Sequence, residues 1–345
     1  MSFEALKPFG WKPHFQQQLP DSLPPGARIA RVSAHFGSQI QLIGVEGEFC
    51  IPIQLTDSVG DMAVGYWLVL DRDGRAIQRL ERQTILSRRP PGKESLPQAI
   101  AANVDTIFIV SSCNQDFNLS RIERYLAITL QAGATPVVVL TKSDLTSDSA
   151  DLRRQTEKLH PGLLVETLDA RDGEQAAVLN QWCRPGQTIA LLGSSGVGKS
   201  TLANTLGVGE LSTATIREKD GKGRHTTTAR SMHCMPTGGV LIDTPGMREL
   251  QLQDCDDGIS DLFVDVFEIA SQCRFNDCRH NGDVGCAVEA ALQAGALEER
   301  RVTNFKKLLA EEAHNARTLA ERRERERGFG RMYKAVIGEK KRRRE

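Results

Sequence analysis

The chain has 345 residues, enough for two or three domains with a substantial buried core. Its composition, 40% hydrophobic and 26% charged, is that of a soluble protein, and an aromatic content of 5% argues against large stacking platforms for single-stranded nucleic acid. The N-terminus has no basic-then-apolar signal pattern, and no segment has the long apolar run of a membrane span. We therefore expect a cytoplasmic monomer without membrane association.

The formal net charge is zero, but the charges are unevenly distributed. Basic residues outnumber acidic ones in residues 298–345, which end in EKKRRRE, whereas residues 252–268 carry acidic residues and no Lys or Arg. A basic end is compatible with a polyanionic partner. On charge alone the simpler interpretation is favoured, namely a solvated helix with a frayed end.

The pattern along the chain changes from all-β to alternating strands and helices. Five short strand-like runs separated by glycines occupy residues 28–90 and predict a small barrel, of which the oligonucleotide-binding (OB) fold is a common type. Apolar strands then alternate with amphipathic helices, which predicts a parallel sheet covered on both faces. The predicted organisation is an N-terminal extension (1–27), the OB-fold barrel (28–90), an α/β domain (98–265), a mostly helical metal-binding region (266–330) and a basic tail (331–345).

A phosphate-binding loop is predicted at GSSGVGKS, which follows the apolar strand TIALL and precedes a helix-prone run. The pattern G-x-x-x-x-G-K-S lets backbone N–H groups cradle phosphates while the lysine reaches the β/γ-phosphates and the serine hydroxyl binds Mg²⁺. The nucleotide-binding residues predicted here are Gly193, Ser194, Ser195, Gly196, Val197, Gly198, Lys199, Ser200 and Thr201.

The strand-and-turn sequence VLIDTPG (240–246) supplies a second part of the predicted nucleotide site. Asp243, at the end of an apolar strand, is placed to hold Mg²⁺ through water. The N–H of Gly246 can bond a γ-phosphate. This segment follows the phosphate loop by about fifty residues, the order expected of a nucleotide-sensing loop.

A guanine-reading loop is predicted at TKSD, directly after the apolar run VVVL. The carboxylate of Asp144 can accept hydrogen bonds from guanine N1–H and N2–H₂, a donor pair that adenine lacks. Lys142 would pack along the base or the phosphate loop, Ser143 lies between them, and Thr141 occupies a position where Asn is more usual. A companion loop behind the base is assigned to residues 168–173, with Ala170 as its nearest match.

The order of these motifs is unusual, because the guanine loop precedes the phosphate loop. Cyclic rotation of the usual GTPase order produces this arrangement and leaves the three-dimensional site intact. The sequence therefore predicts a circularly permuted P-loop GTPase domain. The alternative is another P-loop enzyme, such as an ATPase or a small-molecule kinase, in which TKSD is accidental.

A compact cluster of cysteine and histidine follows the α/β domain. Cys273, Cys278, His280 and Cys286 form the pattern C-x₄-C-x-H-x₅-C, a closed Cys₃His set of the kind that binds one structural Zn²⁺. We expect the metal to support local folding. Three unrelated buried thiols beside a histidine are the competing interpretation.

Taken together, the motifs resemble the ribosome-small-subunit-dependent GTPase family RsgA (YjeQ), over roughly residues 28–330. The distinguishing segments are GKGRHTTTAR (221–230), DTPGMREL (243–250) and CRFNDCRHNGDVGC (273–286). The resemblance implies GTP binding and hydrolysis stimulated by the small ribosomal subunit, a role late in its maturation, and an N-terminal OB-fold barrel that contacts ribosomal RNA.

The residue that orients the attacking water is not obvious, because Met247 stands where many GTPases have Gln. The resemblance suggests His225 for this role, although His225 with Arg224 could equally form part of a basic ribosome-facing loop. Thr226 or Thr227 is expected to supply the switch hydroxyl to Mg²⁺. With no Gln at this position we expect slow basal hydrolysis, and a nucleotide-gated RNA-binding module with little hydrolysis stays open as an alternative.

Overall fold

The computed structural model describes residues 3–60, 62–88, 98–209, 231–243, 255–275 and 278–313. By its internal contacts the chain divides into two compact units. The first comprises Met1–Ser87 and Ala99–Leu250, and the second comprises Arg88–Gln98 and Gln251–Glu345. Several predicted features lie outside the described residues: the linker between the barrel and the α/β domain (residues 91–97), His225, Thr226, Thr227, Gly246, Met247 and the basic tail.

The described residues contain thirteen strands, nearly all within the first unit. They are β1 (Arg28–Phe36), β2 (Gln39–Gly44), β3 (Gly47–Pro52), β4 (Trp67–Leu70), β5 (Ala76–Arg79), β6 (Ile85–Arg88), β7 (Gln98–Ala102), β8 (Thr106–Ser112), β9 (Thr135–Thr141), β10 (Leu164–Thr167), β11 (Thr188–Leu192), β12 (Ser231–Cys234) and β13 (Val240–Asp243). Strands β6 and β7, which run into the linker, form a separate pair.

The predicted parallel sheet is present, with the strand order β10-β9-β8-β11-β13. Strand β12 adds to β13 in the antiparallel sense. The phosphate-loop strand β11 lies in the middle of this arrangement although β8, β9 and β10 precede it in the chain. Strands β8, β9 and β11 are buried almost throughout, as expected for a sheet covered on both faces.

The α-helices of the described residues are α1 (Pro13–Gln16), α2 (Leu119–Gln131), α3 (Ser149–Glu157), α4 (Gly173–Ala176), α5 (Lys199–Thr205), α6 (Asp256–Leu262), α7 (Val264–Ala270) and α8 (Ala287–Gln293), and residues 299–313 are also helical. Most of these helices are short, and the two longest are α2 and the helix at residues 299–313. Helix α2 is capped at both ends and buries one face: Asn118 accepts from the N–H of Arg121, Ile122 and Leu126 are buried, and Gly133 follows its C-terminus at φ +74°.

Six strands lie within residues 28–90, where the small barrel was predicted, and the first five pair with one another. Strand β1 pairs with β2 and β4, β2 pairs with β3, and β4 pairs with β5, all antiparallel. Their buried side chains, among them Val32, Leu42 and Leu68, form one apolar cluster. Strand β1 also joins the GTPase-type sheet through the antiparallel pair Ala34 and Ser231. The OB-fold assignment of these strands stays a prediction.

The N-terminal residues pack into a second apolar cluster. Leu6, Trp11 and Phe15 are almost fully buried, and the rings of Trp11 and Trp67 meet edge to face with centroids 4.8 Å apart. The sequence of these residues shows little periodicity and predicts only an N-terminal extension. Aromatic side chains can anchor a short irregular segment without a helical or strand pattern.

A buried arginine links three parts of the first unit. The guanidinium of Arg31 donates to the carbonyls of Phe9 (2.6 Å), Gly65 (3.1 Å) and Asn103 (3.0 Å) and to the hydroxyl of Thr188 (2.8 Å). Burial lowers the pKa of Arg31 to about 10, which leaves it protonated at neutral pH. Because the charge is satisfied by these acceptors, it ties the N-terminal segment and the barrel strands to β11.

The second unit is mostly helical in its described residues. Phe263 is fully buried, with ring centroids 5.3 Å from Phe305, and Arg301 donates to both carboxylate oxygens of Asp265 at 2.8 Å. Such a two-bonded arginine–carboxylate pair fixes the helix at 299–313 against α7. None of the helices described in either unit has the length and apolar character to cross a membrane.

Candidate nucleotide site and metal centre

The phosphate-type loop joins β11 to α5 and requires glycine at its first position. Gly193 has φ +155°, and a Cβ there would lie 2.2 Å from the carbonyl oxygen of Val110 on the neighbouring strand β8. The Nζ of Lys199 donates to the carbonyls of Gly193 (2.7 Å) and Ser194 (2.5 Å). The lysine is thus folded over its own loop, where a phosphate would offer it a stronger acceptor.

The predicted guanine loop lies directly against this loop. The hydroxyl of Thr141 is fully buried and donates to the carbonyl of Val197 at 2.5 Å, with the Ser111 carbonyl 3.1 Å away. The Nζ of Lys142 donates to the carbonyl of Gly196 at 2.7 Å. Two segments more than fifty residues apart in the chain therefore meet at one edge of the sheet.

The short turn after Lys142 presents the carboxylate of Asp144, the predicted base-reading group. Lys142 has a left-handed backbone (φ 57°, ψ 36°), and Ser143–Leu145 form a 3-10 turn. The N–H of Ser143 donates to the carbonyl of Leu168 at 3.4 Å. The Asp144 side chain is 34% exposed and so is accessible to a ligand.

The segment assigned as the companion loop lies beside both motifs. The carbonyl of Ala170 accepts from the hydroxyl of Thr205 in α5 at 2.7 Å, which holds the loop to the phosphate-loop helix. The next residue, Arg171, donates to Asp144 at 2.8 Å and to Asp169 at 2.7 Å. Hydrogen bonds from Arg171 lower the pKa of the Asp169 carboxyl, and Asp169, followed by Asp144, raises the pKa of Arg171.

Asp243 ends β13 close to the phosphate-loop lysine. Burial raises the pKa of its carboxyl, and the nearby charges of His233 and Lys199 oppose that shift. Ser200 lies in the first turn of α5. A hydroxyl and a carboxylate are oxygen ligands of the kind that Mg²⁺ prefers, so the chemistry of this pair fits the ion.

The four predicted metal ligands come together in the second unit. Their donor atoms all lie within 4.8 Å of one another, and Nδ1 of His280 is 3.4–3.6 Å from the three Sγ atoms. Tetrahedral zinc, with bonds of about 2.3 Å to sulfur and about 2.0 Å to nitrogen, places such donors roughly 3.6 Å apart. The donor set and its spacing therefore fit one zinc ion.

The surroundings of the cluster suit bound thiolates. The N–H groups of Ala287 and Glu289 point at the sulfurs of Cys273 (3.3 Å) and Cys286 (3.4 Å). His280 has a left-handed backbone at φ +57°. Burial, followed by the charge of Lys306, lowers the pKa of His280, which favours the neutral imidazole that a metal requires.

Sequence reasoning missed the side chains that connect the motifs. Arg171 was not assigned any role, although it directly contacts Asp144. Arg121 in α2 was likewise assigned no role, and its guanidinium donates to the Ser194 hydroxyl at 3.0 Å. A signal for Arg171 existed, because it immediately follows Ala170 in the companion loop.

Comparisons with known proteins agree with this arrangement. The RsgA GTPase family model matches residues 79–253. The small ribosomal subunit biogenesis GTPase RsgA 2 of Vibrio parahaemolyticus is 50% identical over 339 residues, which are 98% of this chain and 94% of the relative. The small ribosomal subunit biogenesis GTPase RsgA of Mesorhizobium japonicum is 47% identical over 322 residues, 91% of this chain and 92% of the relative.

Two solved structures share the fold. The crystal structure of YjeQ from Thermotoga maritima matches with a TM-score of 0.60 at 24% identity and covers 83% of this chain and 98% of its own. YloQ, described as a circularly permuted GTPase, matches with a TM-score of 0.55 at 19% identity and covers 89% of this chain and 99% of its own. The predicted permuted GTPase fold is thereby confirmed, and the chain belongs to the RsgA GTPase family.

Proposed function

We propose that this chain hydrolyses GTP and acts in the maturation of the small ribosomal subunit. Relatives 46–50% identical to it are named small ribosomal subunit biogenesis GTPases. The site residues identified above would carry the activity. The partner would be the small subunit itself, contacted through its ribosomal RNA, and the protein would act as a monomer.

The observation that most strongly supports this proposal is the contact between the two loops. An accidental TKSD has no reason to lie against a phosphate loop, yet Thr141 and Lys142 donate to the carbonyls of Val197 and Gly196. This contact supports Asp144, two residues after Lys142, as the group that would read the base of a nucleotide bound at the phosphate loop. An ATPase or a small-molecule kinase would not need a carboxylate that recognises guanine.

Each part of the site has a distinct task in the proposed reaction. Backbone N–H groups of residues 193–200 would bind the phosphates, Lys199 would contact the β/γ-phosphates, and Ser200 and Asp243 would hold Mg²⁺, Asp243 through water. Mg²⁺, when bound, neutralises charge on the phosphate oxygens. Thr201 would extend the phosphate site at the start of α5.

The remaining catalytic assignments rest on sequence. We propose that Gly246 bonds the γ-phosphate, that Thr226 or Thr227 completes the Mg²⁺ ligands and that His225 orients the attacking water. Because Met247 cannot orient water, the isolated protein should turn over slowly. Contact with the subunit would accelerate it.

We also propose that Cys273, Cys278, His280 and Cys286 hold one structural zinc ion. All four ligand positions would be filled by protein, so the ion would have no open site for catalysis. Its task would be to hold the loop between α7 and α8.

The function is tested by GTP turnover with and without purified small ribosomal subunits. We expect slow turnover alone and an increase of at least about tenfold with subunits, whereas ATP turnover stays at background. Lys199→Ala, which removes the phosphate-binding cation, should abolish both rates. Subunit binding without any increase in turnover would instead support a nucleotide-gated RNA-binding module.

A further inference from the structure

We infer that Arg171 is a specificity-positioning residue, which holds the Asp144 carboxylate so that both of its oxygens face the edge of guanine. This inference rests on the proposed guanine-binding function. It concerns a residue of the companion loop that none of the motifs assigns. Its basis is the group formed by Asp144, Arg171 and Asp169, called here the carboxylate–arginine triad.

Arg171 is held in place by its own loop. Its Nε donates to both carboxylate oxygens of Asp169 (3.0 and 3.2 Å), and its Nη2 donates to Oδ2 of the same residue at 2.7 Å. Asp169 is fixed in turn, because its N–H donates to Gln175 and its Oδ1 accepts the N–H of Arg171. The guanidinium is therefore oriented before any ligand arrives.

The oriented guanidinium of Arg171 makes a single hydrogen bond to Asp144, the proposed base-reading residue. Nη2 of Arg171 donates to Oδ2 of Asp144 at 2.8 Å. A carboxylate has about four lone-pair sites on its two oxygens, so Oδ1 and a second site on Oδ2 stay available for guanine N1–H and N2–H₂. The bond removes rotational freedom from Asp144 without using up its capacity as an acceptor.

The net charge of the triad also indicates that Arg171 positions Asp144 and does not compete with the base for its carboxylate. Two carboxylates and one guanidinium leave the triad with a net negative charge, which still attracts the donor edge of guanine. The exposed fraction falls along the triad, from 68% for the Arg171 side chain to 34% for Asp144 and 18% for Asp169. Asp169 is thus the best-shielded member and the anchor of the group.

Hypoxanthine nucleotides provide the discriminating ligand. Inosine diphosphate lacks the 2-amino group and can donate to only one carboxylate oxygen, whereas guanosine diphosphate donates to both. A misoriented carboxylate should therefore weaken GDP binding more than IDP binding. General damage to the companion loop would weaken both equally.

The experiment measures GDP and IDP affinities of the full chain by competition against a fluorescent GDP analogue. We expect Arg171→Ala to weaken GDP binding about threefold to fivefold, the scale of an exposed ion pair, and to reduce the GDP/IDP preference. Arg171→Lys keeps the positive charge but loses the planar guanidinium with its several fixed donors. Its GDP affinity and its GDP/IDP preference should lie between those of the parent protein and Arg171→Ala. Arg154→Ala, which removes an exposed helix arginine paired with Asp151, is the matched control and should change neither value.

A second variant separates positioning from simple electrostatics. Arg171→Ala makes the site more negative and Asp169→Asn makes it less negative, yet positioning predicts that both weaken GDP binding. Opposite effects of the two variants, or an unchanged GDP/IDP preference in Arg171→Ala, would overturn the inference. Asp144→Ala is the reference: if it also leaves the preference unchanged, the proposed guanine-reading function is what fails.

Discussion

Thr141 is a buried hydroxyl at the junction of the guanine and phosphate loops. It stands at a position where Asn is more usual. In the structure its Oγ1 lies 2.5 Å from the carbonyl oxygen of Val197. A Cβ on Gly198 would lie 3.5 Å from the Oγ1 of Thr141. The hydroxyl therefore satisfies a loop carbonyl at a fully buried position.

Replacing Thr141 with Val should weaken nucleotide binding and lower stability. Valine has nearly the same shape but no donor, so the buried carbonyl of Val197 loses its partner at a cost of about 1–3 kcal/mol in the free energy of unfolding. Denaturant unfolding and GDP affinity would measure both effects. Thr141→Ser keeps the hydroxyl and is the control; equal behaviour of the two variants would contradict this role.

At the scale of elements, the loop between α7 and α8 is organised around four donor atoms. Cys286 is both a proposed zinc ligand and the N-cap of α8, because its sulfur accepts from the N–H of Glu289. The loop around His280 is stabilised further by Lys306, which donates to the His280 carbonyl. A metal here would connect α8 to the helical residues 299–313 through this loop.

The substitution Cys286→Ser distinguishes the zinc-ligand role of Cys286 from its role as the N-cap of α8. Serine is a good N-cap residue, so α8 keeps its first hydrogen bond, but the zinc thiolate is lost. We expect about one zinc per chain in the parent protein and far less in the variant, with faster proteolysis within residues 255–313. Elemental analysis provides the measurement, and Cys50→Ser, an exposed cysteine outside the cluster, is the control. Equal zinc in both variants would disprove the assignment.

Some elements could be predicted from sequence because their cause is local. The apolar runs of β8, β9 and β11 and the glycines of the phosphate loop carry their own signal in a few neighbouring residues. The carboxylate–arginine triad and the contacts of Arg31 depend on residues far apart in the chain. Such contacts have no periodicity, and the sequence offers one signal for them, the position of Arg171 next to Ala170 in the companion loop.

At the scale of the whole molecule, chain order and spatial order differ. The guanine loop follows β9 and the phosphate loop follows β11, yet these strands are separated in the sheet only by β8. Parallel strands that end at one edge bring their following loops together whatever the order of connection. The permutation therefore changes which segments the chain connects and keeps the two predicted loops at one edge of the sheet.

The central claim is that the permuted motifs TKSD and GSSGVGKS form one guanine-nucleotide site. It is tested most directly by Asp144→Asn. An amide in place of the carboxylate can donate to the 2-carbonyl of xanthine and no longer accepts both donors of guanine. We predict that kcat/KM for XTP relative to GTP rises by at least about tenfold, the value of one or two hydrogen bonds. An unchanged XTP/GTP ratio in a folded, active variant would contradict the account.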